Sequence, residues 1–327
     1  MRLLVLGGTE FVGRALLDEA LDRGYDTTVL NRGNRPAPPG VTALTGDRTR
    51  PGGLDALRGT TFDLVVNTWS WAPTAVRDAA KTLSGHAGHY AYISSRNVYT
   101  GAGPTPITEQ SPVVDGSPDA GDETDYAAAK RGAELAADQH FDVPVLHARA
   151  GLVLGPYENI GRLPWWLHRL ARGGPTLAPG PRDLPLQIID ARDLATFTLD
   201  AATRGLSGAY TVVSPSGHTT IGDLLDTAND VTGSHADLRW TPPDRILAAG
   251  IQPWTELPIW MPPGDDHAYI HQGDVTKALN AGLRPRPARD TVTDTWAWLQ
   301  TYTGTPTARP GRTTLGLSPE KEARALS

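Results

Sequence analysis

The run Leu3-Leu4-Val5-Leu6-Gly7-Gly8-Thr9-Glu10-Phe11-Val12-Gly13 passes from four apolar residues through paired glycines into a segment, Val12 to Arg23, whose apolar residues recur at helical spacing. Four apolar residues closed by glycine predict a short buried strand, and the turn after it carries the chain into a helix. Such a turn lets backbone N–H groups at a helix N-terminus approach a pyrophosphate, assisted by the positive end of the helix dipole. Gly7, Thr9, Phe11, Val12 and Gly13 are therefore candidate contacts for a dinucleotide. An ordinary tight strand-to-helix turn is the alternative.

Outward from this stretch, the first half of the chain alternates apolar runs with amphipathic ones. Thr27 to Leu30, Val41 to Leu44, Asp63 to Asn67, His89 to Ile93 and Val143 to His147 read as further buried strands, and Pro73 to Ser84 and Asp125 to His140 as helices. Strands separated by helices predict a parallel sheet covered on both faces. From about Gly155 proline, glycine and tryptophan become frequent, and helices such as Ile221 to Thr232 and Thr291 to Gln300 are separated by longer loops. The expected organisation is an α/β nucleotide-binding domain over 1–156, rejoined by 187–215, with a smaller, mostly C-terminal α/β substrate lobe over 157–186 and 216–302. Residues 303–327 form a tail rich in Pro, Gly, Thr and Arg until Leu317, where Ser318-Pro319-Glu320 predicts a helix start with Ser318 as its cap.

A chain of 327 residues can bury a large core. Its formal net charge of −6 lacks the basic footprint of a nucleic-acid binder. The absence of cysteine excludes disulfides, thiolate metal sites and cysteine nucleophiles. The first apolar run is too short for a signal-peptide core or a membrane span, which predicts a soluble cytoplasmic protein. His86 with His89, and His267 with His271 beside Asp265 and Asp266, have spacings that suit a metal, but neither pair completes a recognised ligand set. They read as surface polar residues, and no metal is expected.

Tyr126-Ala127-Ala128-Ala129-Lys130 sets a phenol and an ammonium one turn apart on one helix face. An ammonium about 4 Å away favours a phenolate by roughly 4 kcal/mol at an effective dielectric of about 20, enough for a tyrosine to exchange protons near neutral pH. Lysine occurs only at positions 81, 130, 277 and 321 in a chain that otherwise relies on arginine. One of these few lysines follows Tyr126.

The glycine turn, the Tyr126 and Lys130 pair and the segment Ile93-Ser94-Ser95-Arg96-Asn97-Val98-Tyr99 together resemble the extended short-chain dehydrogenase/reductase family. The resemblance runs from residue 1 to about residue 300 and implies a Rossmann-type, doubly wound parallel sheet. In that family a serine closing the fifth strand acts with the tyrosine and the lysine, which implies Ser95, Tyr126 and Lys130 as the catalytic set. The resemblance further implies that Asp47 lies near the adenine and that Asn67, Thr68 and Trp69 sit where the nicotinamide ribose passes, with Tyr126 and Lys130 also reaching the cofactor. Glu10 stands where the family has its middle glycine. A carboxylate beside a pyrophosphate should repel it, so Glu10 must point to solvent or the turn must be rearranged. The Gly-Gly-Thr-x-Phe-x-Gly form of the turn resembles a branch that includes chloroplast stem-loop RNA-binding proteins and actinobacterial reductases.

After the second strand the chain reads Asn31-Arg32-Gly33-Asn34-Arg35. An acidic residue here would bind a ribose 2′-hydroxyl, whereas Asn31 followed by Arg32 and Arg35 can accept a 2′-phosphate; this favours NADP over NAD. Family members that dehydrate sugar nucleotides place an acidic pair after the catalytic serine, where this chain has Arg96 and Asn97, candidate substrate contacts instead. Sugar-nucleotide enzymes of the family usually carry an asparagine three residues after the arginine closing the sixth strand; here Arg149 is followed at that distance by Leu152. The apolar version resembles the branch of dihydroflavonol and cinnamoyl reductases.

Trp69, Trp71, Trp165, Trp166, Trp254 and Trp260 fall in loops or second-lobe segments, and aromatic walls suit an apolar or aromatic substrate. Trp71 and Trp165 are the candidate walls; packing in the second lobe's core is the alternative, above all for Trp254 and Trp260. The expected activity is NADP-dependent reduction of a carbonyl on a small molecule, with Tyr126 as proton donor. An epimerase or isomerase of a sugar or sugar nucleotide that retains its cofactor is one alternative. A non-catalytic NADP-sensing or RNA-associated protein is another, opposed by the acidic charge balance. Related proteins often form dimers through paired helices, so a homodimer is a further expectation, without a seam that stands out.

Overall fold

The computed structural model describes residues 1–101, 105–302 and 315–327. Residues 303–314 of the expected tail lie outside the described residues. In chain order the first elements are β1 (Arg2–Leu6), α1 (Phe11–Asp22), β2 (Asp26–Asn31), β3 (Thr42–Thr45), β4 (Leu64–Asn67), α2 (Pro73–Leu83), β5 (Tyr90–Ser95), α3 (Tyr126–His140) and β6 (Val145–Ala150). Together with the strand Gly208–Val212 they build a seven-stranded sheet ordered Gly208–Val212, β6, β5, β4, β1, β2, β3. Every pairing in it is parallel. The chain works outward from β1 in one direction and then, from β4, in the other. The crevice outside the carboxyl ends of β1 and β4 is the switch point at which such sheets bind ligands.

The residues explain the layers. Leu3 to Leu6 are wholly buried, as a strand covered on both faces requires. Leu4 and Leu6 share a core with Val65, Val76, Ala79, Ala133 and Ala137, so they face α2 and α3. The two-residue period of a strand turns Val5 to the opposite face, and Val5, Leu17 and Val29 surround Gly8 there. On that side α1 packs against the helix Ala191–Thr203, while α2 packs against α3. The sheet is therefore doubly wound. Small residues on the inner face of α3, Ala129, Ala133, Ala136 and Ala137, are buried and let that helix lie close to its neighbours.

The chain divides into two compact units. The first holds Met1–Gly151, Ala191–Val213 and Asp274–Arg284; the second holds Leu152–Asp190, Ser214–Gly273 and Pro285–Ser327. This differs from the sequence expectation at each crossing, with the first break after Gly151 and the return running over Ala191–Val213. The Asp274–Arg284 return is absent from the expectation. Its helix, Thr276–Asn280, is too short for periodicity to reveal, and it is fastened by Lys277 Nζ donating to Ala209 O at 2.7 Å with its ammonium over Tyr210.

The second unit has its own core, in which Leu163, Trp166, Leu167 and Leu170 of the helix Arg162–Ala171 meet Leu224 and Leu225 of Ile221–Val231. Trp166 and Trp260 are fully buried, and each indole N–H is satisfied by a carbonyl, of Pro258 and Gly180 respectively. A helix Pro319–Leu326 begins at the expected cap, Ser318 accepting from Lys321 N. Its buried Glu322 pairs with Arg169 at 2.8 Å.

His267 and His271 are buried, which corrects the reading of them as surface residues. Their rings lie 5.0 Å apart, His267 Nε2 is 2.9 Å from Pro185 O, and His271 Nδ1 accepts from Gln187 N. Among the described residues no three His, Asp or Glu side chains gather as a metal site, and no helix is long and apolar enough to cross a membrane.

Candidate active site

The glycine turn is a cradle that side chains would fill. Gly7 has φ +113°, and a Cβ on it would stand 2.1 Å from Thr68 Oγ1; a Cβ on Gly13 would stand 2.4 Å from Gly8 Cα. Thr68 in turn ties the exit of β4 to that of β1, its N–H and hydroxyl both donating to Leu6 O. The first turn of α1, beginning at Phe11, has no side-chain cap. Glu10 precedes it, and the repulsion expected from its carboxylate is answered by Arg35, whose Nε lies 3.0 Å from Glu10 Oε1. A close backbone approach, an uncapped helix start and a neutralised carboxylate fit a dinucleotide pyrophosphate.

Asp125 places the tyrosine. Its carboxylate caps α3 by accepting from Ala127 N at 2.9 Å and Ala128 N at 3.3 Å, which makes Tyr126 the first residue of the helix. Tyr126 is half-buried, and Trp71 meets it edge-on with ring centres 6.0 Å apart. One turn later Lys130 is only 2 % exposed. Its Nζ donates to Trp69 O at 2.8 Å and Ile93 O at 2.7 Å, and it lies 6.0 Å from the centre of the Tyr126 ring. A buried ammonium needs such acceptors, so α3, the exit of β4 and the end of β5 are pinned at one point. Ser95 closes β5 two residues beyond Ile93, and its Oγ accepts from Asn97 N as the cap of the 3₁₀ turn Arg96–Val98.

The remaining predicted residues divide between structural and open positions. Asn67 is fully buried, accepting from Arg48 and from Trp69 N and donating to Tyr90 Oη, so its amide is used inside the protein. Asn31 Oδ1 accepts from Gly33 N and shapes the loop that carries Arg32, which is exposed. Asp47 accepts from the Thr49 hydroxyl and N–H; these bonds, with Arg32 and Arg50 nearby, hold its carboxyl below the usual range. Trp71 is exposed beside Tyr126. Arg96 is buried whereas Asn97 is exposed. Trp165 lies in the second unit, edge-on to Trp166 at 4.6 Å and packed against that unit's core.

Two arrangements are absent from the sequence expectation. Glu134, one turn beyond Lys130, is wholly buried and receives two bonds from Arg149, at 2.8 Å each, one from Ser94 Oγ at 2.7 Å and one from Arg131 at 3.0 Å. This cluster locks α3 to β5 and β6 immediately behind Ser95. Burial, the largest single effect, raises the Glu134 pKa, but the Arg149 hydrogen bonds, the charges of His147 and Arg149 and the Ser94 hydroxyl together outweigh it and hold the carboxyl down to about 2. A glutamate four residues after the lysine was the available signal. The second arrangement is Arg48, which reaches Asn67 and lies over Trp69, its guanidinium carbon 4.8 Å from the ring centre.

A sheet with this strand order, a glycine cradle at its switch point and a Ser, Tyr and Lys set at the ends of β5 and α3 define a nucleotide-dependent enzyme fold of the extended short-chain dehydrogenase/reductase type. The model of the NAD dependent epimerase/dehydratase family matches residues 3–213, and the chain belongs to that family. No curated protein matches the sequence. Among solved structures, the Bordetella bronchiseptica enzyme WbmH in complex with NAD+ is similar at TM-score 0.70 and 18% identity, covering 93% of this chain and 99% of that one. A UDP-galactose 4-epimerase is similar at TM-score 0.66 and 19% identity, over 93% of this chain and all (100%) of that one. The UDP-glucuronic acid 4-epimerase from Bacillus cereus in complex with NAD is similar at TM-score 0.65 and 14% identity, over 92% and 99%. At these identities the likeness is one of fold.

Proposed function

We propose that this protein is an NADP-dependent oxidoreductase that reduces a carbonyl of a small apolar or aromatic molecule. The observation that carries this reading is the anchoring of Lys130 on Trp69 O and Ile93 O, which sets Tyr126 and the end of β5 around one point beside the glycine cradle. Bound reduced nicotinamide supplies the hydride. Ser95 Oγ holds the substrate oxygen by hydrogen bonding, and Tyr126 Oη gives it a proton as charge develops there. The Lys130 ammonium favours the negative charge left on the phenol oxygen. Exposed Trp71, against the Tyr126 ring, offers an aromatic wall. Leu152, in place of the asparagine of sugar-nucleotide enzymes, lies in a short strand and is buried, so it offers no polar group to a sugar diphosphate.

The preference for NADP rests on Asn31 and Arg32. Arg35 is occupied by Glu10, which leaves Arg32 as the cation of this loop to meet a 2′-phosphate. Arg32→Ala should weaken NADPH binding by about tenfold or more, the size of a lost charged hydrogen bond, and leave NADH binding unchanged. Calorimetric titration of both nucleotides into both proteins is the check; equal affinities of the wild-type protein for NADH and NADPH would contradict the preference.

The similarity to sugar-nucleotide epimerases favours a second reading, in which the substrate is oxidised and re-reduced with no net consumption of cofactor. Stoichiometric loss of NADPH with a ketone or aldehyde separates the two. A protein that holds its nucleotide through purification and isomerises a sugar nucleotide would decide for the second.

A further inference from the structure

Arg48 follows β3, the edge strand, yet its side chain ends three strands away. The sheet order from β3 is β2, β1, β4, and Arg48 Nη1 donates to Asn67 Oδ1 at the end of β4 at 2.8 Å. On the way its Nη2 passes 3.6 Å from where a Cβ on Gly7 would stand, so the guanidinium lies over the glycine turn. Its guanidinium carbon lies over the Trp69 ring, 4.8 Å from the ring centre. The group is half-buried, and its partners are a neutral amide and an aromatic ring. Its chain neighbour Asp47 is turned to Thr49.

This is a costly place for a cation. Taking a charge even partly out of water with no opposite charge against it is unfavourable. Burial pushes the Arg48 pKa down to about 10. The N-terminus of α1 adds partial positive charge beside the same glycines. Two like-signed features therefore converge at Gly7, while the one carboxylate of the turn, Glu10, is neutralised by Arg35. The crevice is electrostatically incomplete until an anion enters it. An anion seated over Gly7 would meet backbone N–H groups on one side and a planar fork of N–H donors, held by Asn67 and Trp69, on the other.

We propose that Arg48 is a phosphate-binding residue of the crevice, its guanidinium contacting the pyrophosphate of the dinucleotide. The pyrophosphate is chosen over the 2′-phosphate because Arg48 lies over the exits of β1 and β4, whereas the loop carrying Arg32 follows β2. The assignment rests on the reading of this crevice as a nicotinamide dinucleotide site, and it is testable by binding alone.

Calorimetric titration of NADPH and NADH into the wild-type protein, Arg48→Met and Arg48→Lys, with thermal unfolding of each protein without nucleotide, provides the test. Methionine keeps an apolar stem against Trp69 and removes the charge. Both dissociation constants should rise by about 10- to 100-fold in Arg48→Met, the range of a charge-assisted hydrogen bond. Arg48→Lys should recover part of the loss, and the unfolding temperature of Arg48→Met should not fall, because a half-buried cation with no opposite charge against it is gone. Unchanged affinity in Arg48→Met would overturn the assignment while leaving the crevice as the nucleotide site. Loss confined to NADPH would overturn it in favour of the 2′-phosphate. Loss that tracks unfolding, with no recovery in Arg48→Lys, would make Arg48 structural. A wild-type protein that binds neither nucleotide would overturn the proposed function, and this assignment with it.

Discussion

Tyr126→Phe should lower turnover by about a hundred- to ten-thousand-fold, the range lost when a positioned general acid is removed, and leave nucleotide affinity nearly unchanged. The substitution deletes one oxygen. The phenyl ring can keep its edge contact with Trp71, Asp125 still caps the helix, and Lys130 keeps its hold on Trp69 O and Ile93 O, so the cradle should not move. Steady-state turnover beside calorimetric nucleotide binding is the measurement. A variant that retains turnover would remove Tyr126 from the chemistry; one that loses nucleotide affinity in proportion would make its role structural. Ser95→Ala should give a smaller loss, because in the proposed mechanism it removes a hydrogen bond to the reacting oxygen and no proton.

Glu134→Ala should destabilise the fold by about 3–5 kcal/mol, because it leaves Arg149 charged and buried without its partner. Arg149→Met should cost less, since Arg131 still lies 3.0 Å from Glu134 and can carry its charge. Urea unfolding of the two variants compares them directly; the reverse order would contradict the account of the cluster. The linkage has a definite sign. With the folded pKa about 2 against an ordinary 4.5, the stability contributed by Glu134 is present above pH 4.5 and is lost as pH falls toward 2. Glu134→Ala should therefore show a flatter acid limb than the wild-type protein. Because Ser94 and Lys130 adjoin this cluster, turnover should fall as well.

Much of the fold was legible because its causes are local. Leu3 to Leu6 can hide both faces only inside a sheet, and Gly7, Gly8 and Gly13 mark the places where a Cβ would collide. The 126–130 spacing fixed the face of α3 without knowledge of what lay opposite. What escaped depends on distance in sequence. Arg48, in the loop after β3, reaches Asn67 at the end of β4, past β2 and β1, and nothing in Thr45-Gly46-Asp47-Arg48 says over which strands that loop returns. Glu134 looked like one more charged helix residue because its partners Ser94 and Arg149 come from two other elements. His267 and His271 read as surface residues in the sequence, since polarity alone does not reveal that Pro185 O and Gln187 N each meet one of their ring nitrogens where the side chains are buried. Glu10 was legible as a difficulty, and Arg35 is its answer, but a contact from loop to turn has no periodicity to announce it.

Hydride transfer to a carbonyl at the Ser95, Tyr126 and Lys130 site is most directly tested by a single-turnover reaction. The protein would be mixed with NADPH carrying deuterium at the transferable position and with a panel of aromatic ketones, aldehydes and sugar nucleotides, and the products read by mass spectrometry. The predicted result is a deuterated alcohol formed in step with loss of NADPH by the wild-type protein and not by Tyr126→Phe; an isomerised sugar nucleotide with NADPH undiminished, or a deuterated alcohol formed equally fast by the variant, would contradict it.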